Sequence, residues 1–539
     1  MRTIAQASAT LAVTLVLLVS LVLPAAAEET LPVIARVGPW PVASELIGYG
    51  GRLWFVNSVK FRDHNSADIY AYDPASGTVR YERHLFSQDA GTPLVFGGLL
   101  YWPFEDSRFS LGWGHFAVTD GERWRIGAIP TARTFHVHAM AALGERIVAA
   151  TSAWRAGLQV SDDRGASWRE AYDHPTEDRR VSRIVDLAAA GDRVYGALHD
   201  RSAGVPRWRL VSFDGDAVAE VPGWPEGPRI VALTQFEGRV GGAVREAEGD
   251  AIWCSDGARS ERIAGPKPEW RLIDLTAGSG VLFALAVEDG GGSVWRSDDG
   301  KRWRPAFSIT GGRPHDIAEY AGNVYVAGEG DDGRGLLWGP APPAPAGPRP
   351  SAGALPRPVV GERDWRVPAA ALDRALADPE SYVGHAAKLR DLAYRVALAG
   401  PPEDYFGERL ARTLPAHELP LMGGKVIVPA GRMGRWVLLW AMGLSGTGRA
   451  PPGLLAEPWT AAANSSEKYF ESAPAAMSAA AWLGHADGET IGALIDRLGR
   501  AGEPLWLKGD AVGALTALTG KRFGYDLDRW RAWWRNARR

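Results

Sequence analysis

The sequence predicts a multidomain chain, an all-β seven-bladed propeller followed by a mostly α-helical domain, and three observations carry that expectation. A five-residue phrase, a Gly-centred turn opening into apolar residues, returns seven times. It begins at Gly50 (GGRLW), Gly97, Gly144, Gly191, Glu237, Ser279 and Ala321, so successive starts differ by 47, 47, 47, 46, 42 and 42 residues. A period in the forties, built from short alternating runs, fits four strands per repeat and not a helical solenoid. Beyond residue 360 the period changes. Ile491, Leu494, Ile495 and Leu498 fall at i, i+3, i+4 and i+7, and Leu527, Trp530 and Trp534 make a second helical stripe. Between the two regions, residues 340–358 are rich in Pro, Ala and Gly and read as a semi-rigid linker.

The elements follow in order. Arg2, an apolar run from Leu11 to Leu23 and the small residues Ala25-Ala26-Ala27 predict a cleavable signal peptide over residues 1–27. The expected compartment is therefore the periplasm, the cell surface or the exterior, with no membrane span after cleavage. Cys254 is the single cysteine, so no intramolecular disulfide forms and packing must supply the stability. Its strand-like setting predicts a small buried hydrophobe. A net charge of −3 gives no nucleic-acid footprint.

Residues 28–339 make the propeller. Each blade reads as an inner strand, the Gly phrase opening a second strand, a polar hairpin, a third strand, a turn and an outer strand. Blade three shows it in HVHAMAAL from His136, GERIVAATSAW from Gly144, GLQVSDD from Gly157 and SWREAYDHP from Ser167. Blade seven stops after Gly335–Gly339, with no outer strand of its own. The segment Ile34–Pro41 matches the outer strand of blade four, Ala219–Pro225, and is expected to close the ring, removing two open sheet edges. Residues 359–539 make the helical domain.

Two turns between third and fourth strands carry a recognisable sequence. Ser161-Asp-Asp-Arg-Gly-Ala-Ser-Trp168 fits S-x-D-x-G-x-x-W, and Arg296-Ser-Asp-Asp-Gly-Lys-Arg-Trp303 fits all but its first position. Weaker relics stand at Val118–Trp124 and Cys254–Gly257. These turns resemble the Asp-box, or BNR, repeat of sialidases and of many non-enzymatic propellers. The resemblance covers residues 30 to 340 and implies scaffold roles on the rim: Asp163 and Asp298 accepting backbone N–H groups, Gly165 and Gly300 at positive φ, and the Trp rings covering the hairpins. The sialidase catalytic pattern is missing, and seven repeats mismatch six blades, so no catalytic residue is carried over.

The repeat register exposes a different constellation. Eight residues before each phrase stand Val42, Asp89, His136, Arg183, Arg229, Arg271 and Arg313. Four consecutive blades thus offer an arginine where the inner strand opens. Guanidiniums ringed there would form an anion-binding crescent for carboxylates or phosphates, with His136 and Asp89 completing the set. The competing expectation is a seal: Glu45, Asp186, Asp274 and Asp316 lie three residues further on, and could pair with the arginines instead. His136 and His138 share a strand face, but nothing near them in sequence completes a metal site, so neither metal nor other cofactor is expected. Trp102, Trp113 and Trp154 are the candidate aromatic platforms among the 23 tryptophans.

The C-terminal stretch Leu515–Asp526, with Trp530, Trp533 and Trp534, resembles the closing segment of bacterial HEAT-like helical-repeat domains, which implies an interaction role. Together these features point to an exported, monomeric, non-catalytic recognition protein for an anionic glycan or envelope protein. The alternative is a sialidase-like hydrolase or a lyase of acidic polysaccharide, which would place a carboxylate pair or a Tyr-His pair beside the arginines.

Overall fold

The computed structural model describes residues 29–59, 67–107, 113–131, 134–153, 155–175, 181–202, 205–263, 265–266, 271–288, 290–341, 354–356, 364–377, 382–413, 430–456 and 472–538. The expected signal peptide and most of the expected linker lie outside the described residues. The chain enters with β1 (Glu29–Thr30) and β2 (Val33–Val37). Blade one is β3 (Val42–Tyr49), β4 (Arg52–Ser58), β5 (Ala67–Asp73) and β6 (Thr78–Leu85). Blade two is β7 (Leu94–Phe96), β8 (Leu99–Pro103), β9 (Gly114–Thr119) and β10 (Trp124–Ile129). Blade three is β11 (His136–Leu143), β12 (Arg146–Ser152), β13 (Ala156–Ser161) and β14 (Arg169–Asp173). Blade four is β15 (Arg183–Ala190), β16 (Arg193–Asp200), β17 (Arg207–Phe213) and β18 (Val218–Glu220). Blade five is β19 (Arg229–Phe236), β20 (Arg239–Glu246), β21 (Gly249–Ser255) and β22 (Ser260–Ile263). Blade six is β23 (Arg271–Gly278), β24 (Val281–Glu288), β25 (Gly291–Ser297) and β26 (Arg304–Thr310). Blade seven is β27 (Gly312–Tyr320), β28 (Asn323–Gly330) and β29 (Gly335–Trp338).

The seven phrases are the tight turns between first and second strands. Each places a residue at positive φ, including the non-glycines Glu237, Ser279 and Ala321 at 50°, 51° and 53°. Blade seven borrows its outer strand: β2 pairs antiparallel with β29, Val33 against Trp338 and Val37 against Gly335. Just before that, β1 pairs in parallel with β26 and adds a fifth strand to blade six. The N-terminal segment therefore covers the edge of blade six and closes blade seven. Apolar residues from facing sheets fill the spaces between blades, as with Leu336 and Trp338 of blade seven against Val294 and Ile309 of blade six.

The helices are α1 (Arg366–Ala377), α2 (Tyr382–Leu398), α3 (Tyr405–Arg412), α4 (Ala430–Ser445), α5 (Pro452–Leu455), α6 (Ser472–Leu483), α7 (Gly488–Leu498), α8 (Leu505–Thr519) and α9 (Leu527–Ala537). The helices α2, α4, α6 and α8 pack one on the next as a continuous layer, and α1, α3, α5 and α7 each pack on the helix that follows. The apolar stripe of α7 is buried through Ile491, Leu494, Ile495 and Leu498, and Trp530 of α9 is fully enclosed.

One core runs from blades one and two into the helical domain. The junction is polar at its centre. His84 of β6 is buried between Asp68 Oδ1 at 2.8 Å and Asp510 Oδ1 at 3.0 Å. Asp68 Oδ2 also accepts the Tyr525 hydroxyl at 2.8 Å and the Trp40 indole N–H at 2.9 Å. Beside it, Glu82 faces Arg80 at 2.5 Å and Arg522 at 3.0 Å.

Candidate functional site

Every blade contributes an even number of antiparallel strands, counting β2 in blade seven, so all inner strands run in the same sense and begin on one face of the ring. Arg183, Arg229 and Arg271 are the first residues of β15, β19 and β23, and Arg313 is the second of β27. The repeat register therefore holds in three dimensions. Arg229, Arg271 and Arg313 are exposed and Arg183 is partly buried. None of the four makes an ion pair with a carboxylate among the described residues.

The acids expected to seal this mouth do other work. In β15, β19, β23 and β27 the ladder is interrupted by a bulge near the acid's register, and the amide after the bulge needs an acceptor. Asp186 Oδ1 takes the amide of its own neighbour Leu187 at 2.8 Å, and Oδ2 takes that of Leu233 in blade five at 2.9 Å. Asp274 repeats this with Leu275 at 2.8 Å and Ile317 in blade seven at 2.9 Å, and Asp316 accepts Glu45 N–H in blade one at 2.6 Å. These carboxylates stitch neighbouring inner strands together and leave the arginines unpaired, so the competing expectation of a salt-bridge seal is corrected. Burial, with the charge of Glu45, pushes the Asp186 carboxyl up to about 7. Burial and the Asp316 charge also raise that of Asp274 well above the usual carboxylate range. The channel thus has a cationic mouth over a throat in which the buried Asp186 and Asp274 carboxyls resist ionisation.

The cationic side is densest between blades four and five. Arg183, His199 and Trp208 stand opposite one another across β15, β16 and β17, which puts them in a row on one sheet face. His199 stacks on Trp208 at 4.6 Å and 11°, and the Arg229 guanidinium lies 5.9 Å from the same ring. Burial lowers the His199 pKa, helped by the charges of Arg201, Arg183 and Arg229. Burial, Arg245 and Arg271 likewise lower that of Arg229. Arg245 itself is engaged by Asp250 at 3.2 Å. The row through His199 and Trp208 was missed in the sequence, because it depends on which residues oppose Arg183 in the ladder.

The other two site candidates face inward. His136 opens β11 but is buried, its Nδ1 2.5 Å from the Glu105 carbonyl and its ring stacked on His138 at 5.5 Å. Asp89 is buried ahead of β7 and accepts the Ala90 amide at 2.9 Å. Neither stands exposed at the mouth beside the arginines. Among the described residues no cluster of His, Cys, Asp and Glu could hold a metal ion.

Trp102 is fully buried in β8 and Trp113 is buried against Tyr394 of α2, ring centroids 5.1 Å apart, so neither is a sugar platform. Trp154 lies outside the described residues. Cys254 is buried, and its thiol is pushed up to about 11 by burial. A Tyr-His pair exists: Tyr172 hydroxyl and His174 Nδ1 are 2.7 Å apart, with Asp200 3.2 Å from Nε2. It sits at the outermost strand of blade three, and burial pushes Tyr172 up to about 12, which suits structure better than proton transfer at neutral pH.

The turn motifs hold the rim, with one correction. Asp163 Oδ1 accepts the Ser167 amide at 2.7 Å, and Trp168 donates to the Gly165 carbonyl at 3.1 Å. In blade six the acceptor is Asp299, which takes the amides of Lys301 and Arg302 at 2.9 and 2.8 Å. Asp298 instead pairs with Arg296 and Arg304 on the surface. Asp120 and Asp256 repeat the Asp299 pattern in blades two and five, one residue shorter than the turn at Asp163.

No family model and no curated protein matches this chain. Solved structures match it over little more than half its length. The β-propeller domain of the Trilobed protease from Pyrococcus furiosus, described as having an open velcro topology, is 11% identical over 56% of this chain and 96% of that one, with a TM-score of 0.41. An acylaminoacyl peptidase from Pyrococcus horikoshii is 12% identical over 54% of this chain and 49% of that one, with a TM-score of 0.39. The computationally designed Ika8 protein is 13% identical over 57% and 99%, with a TM-score of 0.35. These are likenesses of fold at most, and the propeller is read from this chain's own seven sheets.

Proposed function

We propose that this is a non-catalytic recognition protein whose propeller binds an anionic glycan, or a protein bearing an acidic stretch, across the mouth of its channel. The observation that supports this is the set Arg183, Arg229, Arg271 and Arg313, which opens four consecutive inner strands with no carboxylate partner among the described residues. A row of uncompensated guanidiniums is unfavourable by itself and becomes favourable when carboxylates or sulfates satisfy it in bidentate fashion. A ligand lies along the rim of the mouth, where Arg229, Arg271 and Arg313 are exposed. Tyr172 and His174 stand at the outer rim instead of beside these arginines, which favours binding over catalysis.

The remaining expectations belong with this proposal: export by a signal peptide, Asp-box ancestry of the propeller, and a HEAT-like helical domain that adds a second docking surface. The experiment is titration of the mature protein with polygalacturonate, a sialylated oligosaccharide and a neutral glucan at two salt concentrations. Binding of an acidic glycan that weakens with salt, without turnover, supports the proposal. Equal affinity for the neutral glucan, or release of cleaved product, contradicts it.

A further inference from the structure

A second cavity lies away from the channel mouth. The outer strands of blades one and two and the helical domain enclose a cleft of about 790 Å3. Its apolar wall comes from the ends of α2, α4, α6 and α8, with Leu398, Leu444, Trp482 and Ala517, and from Trp124 and Ile126 of β10. That volume lies in the range of small-molecule sites.

The charges lining it do not cancel. Glu82 is already shared among Arg80 at 2.5 Å, Arg522 at 3.0 Å and Arg52 at 3.7 Å. Glu122 faces Arg522 at 3.8 Å, and Arg123 is held by Asp120 at 2.7 Å. Arg125 donates to the Pro356 carbonyl at 3.4 Å. Arg83, partly buried in β6, is left with no hydrogen bond and no ion pair to any described residue. Burial lowers its pKa, the direction expected of a cation short of counter-charge. Such a group is costly to enclose unless a ligand or solvent satisfies its donors.

The helix ends set the limit on what fits. Leu398 and Gly400, Ser445 and Gly446, Trp482, and Gly520 are all at C-terminal ends, where backbone carbonyls carry partial negative charge. This field helps the cleft tolerate one guanidinium and opposes a polyanion. A single carboxylate on an apolar body meets both conditions, which distinguishes this cleft from the channel mouth.

We propose that the inter-domain cleft is a second ligand site for a small amphipathic monocarboxylate, its carboxylate in the fork of Arg83 and its apolar body against Leu398, Leu444, Trp482 and Ala517. The test is calorimetric titration of the full chain with benzoate, indole-3-acetate and decanoate, each beside its neutral amide. At least one acid binds roughly tenfold or more tightly than its amide, and Arg83→Met removes that advantage. Arg83→Lys keeps part of it, because an ammonium supplies charge without the fork. Ala517→Trp fills the cleft while leaving Arg83 in place and blocks acid and amide alike, which covers the case in which Arg83→Met does not fold. No binding of any of the three acids, equal affinity of acids and amides, or undiminished binding in Ala517→Trp overturns the proposal.

Discussion

His84 Nε2 lies 3.0 Å from Asp510 Oδ1, joining the outer strand of blade one to α8, and neither side chain has any solvent exposure. The contact works because α8 carries glycine where it meets the ring. A Cβ at Gly513 would stand 2.7 Å from the His84 Cβ, and one at Gly509 would stand 3.0 Å from Cε1. Sequence, packing and electrostatics meet here: two glycines admit the imidazole, and two aspartates hold it. Burial disfavours the imidazolium, but hydrogen bonds to Asp510 and Asp68 outweigh it and raise the pKa.

The first prediction concerns this junction. Asp510→Ala takes from His84 Nε2 its carboxylate partner in a dry interface and should lower stability by about 3–5 kcal/mol. Gly513→Ala should separate the helical domain from blade one. Thermal unfolding followed by limited proteolysis checks both. Unchanged melting and proteolysis in Gly513→Ala would show that the domains do not depend on this contact.

Asp186 supplies a pH test. Its folded pKa of about 7 lies above the unfolded value, so the stability tied to its protonated form is complete below the usual carboxylate range and is lost as pH rises toward and through 7. Asp186→Asn removes the titration. Because His115 and His138, both held neutral by burial, oppose the trend on acidification, the informative quantity is the difference between variant and wild type. From pH 5 to pH 8 that difference should move in favour of Asp186→Asn by about 1–3 kcal/mol, measured by urea unfolding. A pH-independent difference would mean that Asp186 is ionised throughout.

Ring closure is tested by removing residues 29–37, which eliminates β1 and β2. The loss exposes β29 and the edge of blade six and should cost several kcal/mol. An unchanged melting temperature would refute closure by this strand.

For the turns, Asp299→Ala should lower the melting temperature more than Asp298→Ala, because only Asp299 satisfies backbone amides. Trp168→Ala, at a partly buried ring, should cost about 2 kcal/mol and leave ligand binding intact. The reverse order for the two aspartates would restore the longer turn register to blade six.

Much of the fold was legible because a propeller repeats its physics. The Gly turn at Gly50, Gly97 and Gly144 recurs wherever the chain must reverse at positive φ, and counting back from it located Arg183, Arg229 and Arg271 at strand starts. The missing outer strand after Trp338 was visible as well. Register could not say what a side chain faces. Asp186, Asp274 and Asp316 looked like partners for arginines because the bulges that free the Leu233 and Ile317 amides leave no sequence mark. The motif spacing points to Asp298 and not Asp299 because blade six is one residue shorter at the turn than blade three. His84 and Asp510, 426 residues apart, have no local pattern at all. The nearest available signal was the pair of glycines at 509 and 513 in an otherwise good helix.

The central claim is that the arginines at the channel mouth form a binding site and not a structural seal. The most direct test measures affinity for an acidic glycan and folding stability on the same proteins, Arg229→Ala, Arg271→Ala and their double variant. The account predicts a roughly tenfold or larger loss of affinity for each single change, a shallower salt dependence, and little change in stability, since no carboxylate is left unpaired. Intact binding together with a large loss of stability would contradict it.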